Sequence, residues 1–332
     1  KKVPDKKVKE LVENAIDAGS TAVTVEIEEG GISLIRITDN GCGIAKQDVE
    51  NAFLRHSTSK IRSAEDLTHL SSLGFRGEAL SSISAVARVE LITKTREDVF
   101  GTKYIIEGGK GRTPEETGAP DGTTFLVRQL FFNTPARRKF LKTPMTEASH
   151  ISDLLTRLAL SHPDISFRFI NNGQVKLHTS GNGKMKDVIY HIYGREIANN
   201  LIPLEFEKDG VKLSGYLGKP VINRGNRNFE NYFVNGRYNS GNRTYFSGNH
   251  GCPPSARPVY VSVWKINNPV PSALLKAAVC ETDPLRSEED LSVLLHRYLK
   301  DAQSYSTVLP AALRCKNFLR PALPPDERPL CV

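Results

Sequence analysis

Lys9-Glu10-Leu11-Val12-Glu13-Asn14 is the first of three short stretches whose order and spacing indicate the fold. The other two are Asp39-Asn40-Gly41-Cys42-Gly43 and Gly74-Phe75-Arg76-Gly77-Glu78-Ala79-Leu80. Glu10 and Asn14 are four positions apart, so on a helix both side chains point from one face. The second stretch puts an acid in a glycine-containing turn, and the third puts small residues before an apparent helix. Alone, each is usually structural: an exposed helix face, a turn, a loop-to-helix junction. Only their order and spacing together are specific enough to indicate a function.

Hydrophobic periodicity assigns the first two stretches to secondary structure. Apolar residues recur at helical spacing from Val8 to Ile16, and Gly19 stands where a C-cap glycine would end the helix. Apolar residues then alternate over residues 23–27, and residues 32–38 form a β-branched, apolar run. We therefore predict a helix followed by a hairpin that leads directly into Asp39.

The remainder of the chain is predicted to continue as α/β structure. Strands are expected over residues 123–127, 204–206, 211–217 and 231–234, and a core-facing helix over residues 151–158. Residues 101–121 are rich in Gly, Lys, Glu and Pro, so an exposed hairpin or loop is expected there. A helix from Ser287 and a proline-rich, extended stretch after Arg320 are expected beyond these.

Length and composition indicate a globular protein with more than one domain. The 332 residues are 39% hydrophobic and 25% charged, and no apolar run approaches the roughly 18 residues of a membrane helix. The five cysteines are scattered, which favours a reducing compartment over a disulfide framework or a structural metal. Because the first methionine is Met145, we expect the sequence to begin inside a longer reading frame.

The formal net charge of +8 is compatible with two interpretations. It can simply keep the protein soluble, or it can reflect a polyanionic partner such as DNA, because clustered Lys and Arg gain from counterion release. The basic residues do cluster along the sequence, which makes a nucleic-acid interface a candidate. The candidate DNA-binding residues are Arg137, Arg138, Lys139, Arg224, Arg227 and Arg237.

Together, the three stretches offer the groups needed to hold Mg-ATP and hydrolyse it without a P-loop. An Asn carbonyl is a hard oxygen ligand for Mg²⁺, and a Glu can deprotonate or orient the attacking water. An ionised Asp accepts hydrogen bonds only, so Asp39 can take the exocyclic amino group of adenine while glycines let the backbone approach the ring. Backbone N–H groups at the start of the third stretch's helix can bind phosphate.

These motifs, in this order, resemble the GHKL ATPase superfamily, and further motifs resemble its MutL branch of DNA mismatch repair ATPases. The resemblance is strong from about Val8 to Tyr238. The further motifs are Arg55-His56-Ser57-Thr58-Ser59-Lys60-Ile61, Asn133-Thr134-Pro135-Ala136-Arg137-Arg138-Lys139-Phe140-Leu141 and Phe233-Val234-Asn235-Gly236-Arg237.

The resemblance implies a role for each matching residue. Glu10 matches the general base, Asn14 the Mg²⁺ ligand and Asp39 the adenine-binding acid, with Gly43 in the same turn. Thr58 and Ser59 match nucleotide contacts of a lid. The implied phosphate and adenine contacts are Arg76, Gly77, Glu78, Ala79, Leu80 and either Thr123 or Thr124.

The resemblance also implies architecture and partners. It implies an α/β sandwich of the GHKL type over residues 1–200, a transducer domain like that of ribosomal protein S5 over residues 201–315, and a proline-rich tail over residues 316–332. ATP would order the lid and dimerise the N-terminal domains, in a homodimer or a MutL-type heterodimer. The other implied partners are DNA and a mismatch-recognition protein of MutS type, without a membrane, in the cytoplasm of a bacterium or the nucleus of a eukaryote.

Parts of the family pattern have no visible counterpart. The Ile-Ala-Ala-Gly-Glu-Val-Val segment that precedes the first helix in the family is missing, and so is the Asn-Val-His-Pro-x-Lys strand whose lysine reaches the γ-phosphate; Lys276 does not match its position. The expected function is ATP hydrolysis coupled to dimerisation and DNA binding, and the hydrolysis is expected to be slow because conformational steps limit its rate. The alternatives are a nucleotide-gated DNA-binding scaffold with little hydrolysis, or another GHKL ATPase such as a type II topoisomerase subunit.

Overall fold

The computed structural model describes residues 4–54, 79–208, 211–222, 229–234, 236–238 and 262–267. The chain divides into two compact units, Lys1–Ile192 and Tyr193–Val332. The described helices are α1 (Pro4–Asp17), α2 (Ala79–Ser84), α3 (Pro135–Lys139), α4 (Pro144–Ser161), α5 (Met185–Tyr193) and α6 (Arg195–Asn199). The described strands of the first unit are β1 (Ala22–Glu28), β2 (Leu34–Asp39), β3 (Arg88–Lys94), β4 (Gly101–Glu107), β5 (Lys110–Gly111), β6 (Glu115–Thr117), β7 (Gly122–Arg128), β8 (Ser166–Asn171) and β9 (Gln174–His178).

One mixed sheet organises the first unit. In the described part of the chain its strands lie in the order β5-β4-β3-β7-β2-β1-β8-β9, and β6 pairs with β4. β1 and β8 run parallel, and the other neighbouring strands pair antiparallel. Helices α1 and α4 pack against each other, and α1 also contacts β2 and α2. The helices therefore lie in a layer beside the sheet, as the predicted α/β class requires.

Helix α1 confirms the predicted first helix and extends it toward the N-terminus. Val8, Leu11, Val12 and Ala15 are at most 2% exposed, which is the apolar stripe expected of a helix facing a core. The helix already includes Pro4, because proline is tolerated in a first turn where its missing N–H has no intrahelical role. The sequence pattern began only at Val8, so it missed that turn.

The predicted hairpin is also confirmed, and its register carries an acid into the interior. β1 pairs with β2 so that Val23 lies opposite Asp39. Ile35 and Ile37 are fully buried, and Asp39 follows them on the same side of the strand with 8% exposure. A strand whose alternate residues are buried thus ends with a buried carboxyl group.

Residues 101–121 were expected to form an exposed hairpin or loop, and a hairpin of β4 and β5 is present, but the exposure of the first third was predicted wrongly. β4 is a full strand of the sheet between β3 and β5, and Thr102, Tyr104 and Ile106 are buried. These three residues alternate with Lys103 and Ile105, and the alternation outweighs the polar composition of the segment. Only the stretch after β4 is mainly turns and short strands.

The second unit contains a separate sheet. Its described strands are β10 (Leu201–Lys208), β11 (Val211–Gly218), β12 (Glu230–Val234), β13 (Arg237–Tyr238) and β14 (Ser262–Asn267), in the order β10-β11-β14-β12-β13. β12 and β14 are parallel, and the other pairs are antiparallel. The strands predicted over residues 204–206, 211–217 and 231–234 are confirmed. The helix expected from Ser287, the stretch after Arg320 and Lys276 lie outside the described residues.

Among the described residues, no helix is long and apolar enough to span a membrane.

A glycine at the start of β7 is required by close packing. Gly122 has φ +111°, and a Cβ built on it would lie 2.1 Å from the carbonyl oxygen of Asp39. We expect Gly122→Ala to lower the free energy of unfolding by about 3 kcal/mol, because backbone strain and a backbone clash add. Urea unfolding measures the change. Gly118→Ala is the matched control, because its Cβ would meet nothing within 4 Å; equal losses in both variants would contradict the packing argument.

Candidate functional site

The face of α1 that is turned away from the core is the starting point of the site. Glu10 and Asn14 lie one turn apart on it, and both are partly exposed. Glu10 keeps 23% of its side chain accessible and lies 3.7 Å from the exposed ammonium of Lys6. The apolar stripe of the same helix is locked into the core, so this carboxylate and this amide are presented on a rigid element.

Asp39 is the buried acid of the site. Its Oδ1 accepts hydrogen bonds from the main-chain N–H of Gly41 at 2.9 Å and from Ser20 Oγ at 3.2 Å, and the N–H of Thr123 also bonds to the carboxyl group. Burial raises the pKa of Asp39 above its usual value, and the three hydrogen bonds pull that pKa back down. A desolvated carboxyl group with capacity for another donor is suited to binding a ligand N–H.

Buried hydroxyls continue from Asp39 across the sheet. Thr123 on β7 pairs with Asp39 on β2 and with Thr93 on β3. The Thr93 hydroxyl lies 3.0 Å from that of Thr123, and it accepts from the N–H of Ile44 at 2.8 Å. Sequence reasoning missed Thr93; its only signal was a hydroxyl residue at a buried position of an alternating strand.

The turn after Asp39 is fitted closely to its neighbours. Gly43 has φ +74°, and a Cβ on it would lie 2.2 Å from the carbonyl oxygen of Lys94. A Cβ on Gly41 would lie 2.8 Å from both Ala18 Cβ and Ser20 Oγ. The turn therefore touches the end of α1 on one side and the end of β3 on the other, and only glycines allow this approach.

A second buried charge lies beside Glu10, and sequence reasoning missed it as well. Lys7 Nζ is 3.3 Å from Glu10 Oε2 and donates to Ser82 Oγ of α2 at 2.6 Å. Burial lowers the pKa of Lys7, an effect that Glu10 opposes and that Lys6 and Arg137 increase. The pairing of Lys7 with Glu10 could have been predicted from their spacing of three residues on a helix. The contact with Ser82 could not, because the two residues are 75 positions apart.

The structure brings together some of the predicted site residues and leaves others undescribed. Glu10 and Asn14 share one face of α1, Asp39 and Thr123 are joined in the sheet, and Ala79 and Leu80 open α2. Thr124 bonds to the hydroxyl of Thr38 instead, one position along the strand and hence on the opposite face from Thr123. The residues that lie outside the described part are Thr58, Ser59, Arg76, Gly77, Glu78, Arg224 and Arg227.

The basic segment after β7 forms a short, exposed helix. Arg137, Arg138 and Lys139 occupy α3 and are all exposed. Arg137 is close enough to Lys7 to influence its pKa, so this charge lies near the N-terminal half of α1. Arg237, in β13 of the second unit, is exposed as well.

Two family models match parts of this chain. The family model described as "Histidine kinase-, DNA gyrase B-, and HSP90-like ATPase" matches residues 3–108, and the one described as "DNA mismatch repair protein, C-terminal domain" matches residues 189–243. The DNA mismatch repair protein MutL of Agathobacter rectalis is 71% identical over 231 residues, which cover 70% of this chain and 36% of that protein. The chain belongs to the MutL family. MutL of Halothermothrix orenii is 47% identical over 268 residues, covering 80% of this chain and 42% of the relative.

Two solved structures share the fold. The Aquifex aeolicus MutL ATPase domain complexed with ADP superimposes with a TM-score of 0.62 at 28% identity, covering 82% of this chain and 93% of that one. The N-terminal domain of a DNA repair protein gives 0.65 at 25% identity, covering 90% and 94%. The GHKL fold predicted from the motifs is thereby confirmed. The chain spans about 35% to 42% of the length of the curated MutL relatives it matches.

The raised pKa of Asp39 makes a prediction about stability and pH. Below pH 3.8 the carboxyl group is protonated in the folded and unfolded states alike; above it, the folded state retains the proton longer. The stability contributed by Asp39 is therefore lost as pH rises through its folded-state pKa. We expect Asp39→Asn to gain stability relative to wild type over that window, measured by urea unfolding at a series of pH values.

Asp48→Asn is the control, because it makes the same substitution at an exposed carboxyl group. A stability difference between wild type and Asp39→Asn that stays flat with pH would show that burial does not govern this carboxyl group.

Proposed function

We propose that this chain binds Mg-ATP, hydrolyses it slowly, and couples its nucleotide state to dimerisation and DNA binding. One observation carries the proposal: a desolvated carboxyl group, Asp39, ends a central strand beside the helix that presents Glu10 and Asn14. The ADP complex of the Aquifex aeolicus relative supports a nucleotide as the ligand.

Adenine is recognised by Asp39 in this proposal. The ionised carboxylate accepts the exocyclic amino group of the base, and it keeps its own hydrogen bonds from Ser20 and Gly41. Thr123 forms a wall of the same pocket, because of the two candidates Thr123 and Thr124 it is the one on the Asp39 face of the sheet. Gly43 lets the turn after Asp39 lie against the backbone of Lys94, a close approach that a side chain would block.

Hydrolysis uses the exposed face of α1. Glu10 takes a proton from a water whose oxygen bonds to the γ-phosphorus, while the bond from that phosphorus to the β–γ bridging oxygen breaks and ADP leaves. Asn14 offers an amide oxygen, a hard donor that fits Mg²⁺, which is usually held by one or two protein ligands together with phosphates. The ion neutralises phosphate charge when bound. Turnover is slow because conformational steps limit it.

The proposed DNA binding, dimerisation and partner are supported by the family and by the exposed basic residues. The basic helix α3 and Arg237 contribute to DNA binding, because exposed Arg and Lys contact backbone phosphates. Nucleotide-driven dimerisation and a MutS-type mismatch-recognition partner complete the proposal. The relatives described above are bacterial, and DNA repair in bacteria takes place in the cytoplasm, where we place this protein.

A second function is favoured by one observation on the sequence. The Asn-Val-His-Pro-x-Lys pattern, whose lysine reaches the γ-phosphate in the family, has no counterpart in this chain. ATP would then act as a switch for DNA binding with little hydrolysis. Phosphate release distinguishes this scaffold from the ATPase.

Glu10→Gln tests the catalytic part of the proposal. We expect it to lower single-turnover phosphate release by about 100-fold or more, because a general base typically contributes 10² to 10⁴. ATP binding, measured by calorimetry with a non-hydrolysable analogue, should persist. Asp39→Asn should instead weaken binding by about 100-fold, because an amide puts a donor opposite the amino group of adenine. If wild type and Glu10→Gln bind ATP equally and neither releases phosphate above background, the chain is a scaffold.

Charge reversal in α3 tests the DNA interface. We expect the Arg137→Glu/Arg138→Glu variant to retain DNA less well and to show a shallower dependence of affinity on salt, by about 0.9 in log–log slope for each DNA phosphate that the protein no longer neutralises. ATP binding should be unaffected. The matched control is Lys176→Glu/Lys186→Glu, which reverses two exposed charges on β9 and α5. Unchanged DNA affinity at low salt in the α3 variant would remove these residues from the interface.

A further inference from the structure

Lys7 occupies a position that a lysine seldom takes. Its side chain is 10% exposed, whereas that of the neighbouring Lys6 is 70% exposed. Lysine is almost never buried unless its ammonium is paired. Here the ammonium has two partners on two elements: Glu10 of its own helix and Ser82 of α2.

Fold stability does not account for this placement. Burial disfavours the charged form of Lys7, and Lys6 and Arg137 add like-charge repulsion. A cation in the N-terminal half of a helix also opposes the helix dipole. An apolar side chain would fill the same site at lower cost. The compensating interaction is the ion pair with Glu10.

The hydrogen bonds around the ammonium fix its position. Ser82 Oγ donates to the carbonyl of Ala79 at 2.9 Å, so the hydroxyl is oriented to accept from Lys7. The ammonium is thereby held from α2, and it holds Glu10 Oε2 at 3.3 Å. The hydroxyl, the ammonium and the carboxylate form a chain from one helix to the other.

We propose that Lys7 is a positioning residue that orients the carboxylate of Glu10 to take a proton from the attacking water, with Ser82 as its anchor. This inference rests on the proposed role of Glu10 as general base. A base must lie within hydrogen-bond reach of the proton it removes, and small misplacements cost up to about 100-fold in rate. Holding Oε2 through a buried cation limits the rotation of the side chain, while Oε1, which lies 3.7 Å from the exposed ammonium of Lys6, stays accessible to the water.

The test uses the full chain and single-turnover phosphate release, which isolates the chemical step. We expect Lys7→Met to lower that rate about tenfold while the dissociation constant for a non-hydrolysable ATP analogue stays within about twofold. Methionine keeps the length of the side chain and suits a buried site. Ser82→Ala should give a smaller loss in rate, and Lys7→Arg should recover part of the activity.

The chain supplies a matched control in Lys6→Met. It removes the same charge one position earlier, and Lys6 also lies near the Glu10 carboxylate, but through an exposed pair that contributes little. We expect its rate to equal wild type. The melting temperature of Lys7→Met at neutral pH should be no lower than that of wild type, because the variant no longer buries a cation.

The rates of these variants decide whether Lys7 positions Glu10. A wild-type rate in Lys7→Met, or equal losses in Lys6→Met and Lys7→Met, would overturn the positioning role. A loss of rate in Lys7→Met that tracks a lower melting temperature would make Lys7 structural and overturn it too. If Glu10→Gln hydrolyses ATP normally, both the base assignment and the positioning role fail. If Glu10→Gln is inactive while Lys7→Met is normal, only the positioning role fails.

Discussion

The arrangement of the first unit depends on keeping a carboxyl group inside the protein. Asp39 lies at the end of a strand whose preceding alternate residues are fully buried, so its polar atoms must be satisfied by protein donors. The donors come from three directions: Ser20 just after α1, Gly41 in the following turn and Thr123 on the neighbouring strand. Satisfying this one group therefore fixes the end of α1, the turn and β7 relative to each other.

Helix α1 connects that constraint to the chemistry. Its apolar stripe packs into the core with essentially no exposure, which leaves the opposite face no freedom to rotate. Glu10 and Asn14 lie on that opposite face, one turn apart. The distance between Asp39, the proposed adenine-binding acid, and Glu10, the proposed general base, is set by the packing of a helix on a sheet, not by flexible loops.

Asp39 and Lys7 are buried charged groups of this unit whose pKa is shifted by burial, and both lie at the proposed site. Burial shifts the pKa of Asp39 upward and that of Lys7 downward, so each group disfavours the ionised form that it would have in water. Local conflicts of this kind tend to concentrate at functional sites. Asp39 faces the proposed adenine pocket, and Lys7 contacts Glu10, the proposed general base. We therefore propose a function for both residues.

Hydrophobic periodicity and short motifs are local properties, so they were enough to predict the helix that carries Glu10 and Asn14, the hairpin that ends at Asp39, and the family. Composition misled at β4, where an exposed hairpin or loop was expected and alternate residues are buried. Which distant side chains meet became known only from the folded structure. Thr93 and Thr123 are 30 residues apart and meet because β3 lies beside β7; Lys7 and Ser82 are 75 residues apart and meet because α2 packs on α1. No local pattern encodes strand order or helix packing, so the partners of a buried charge become visible only in the folded chain.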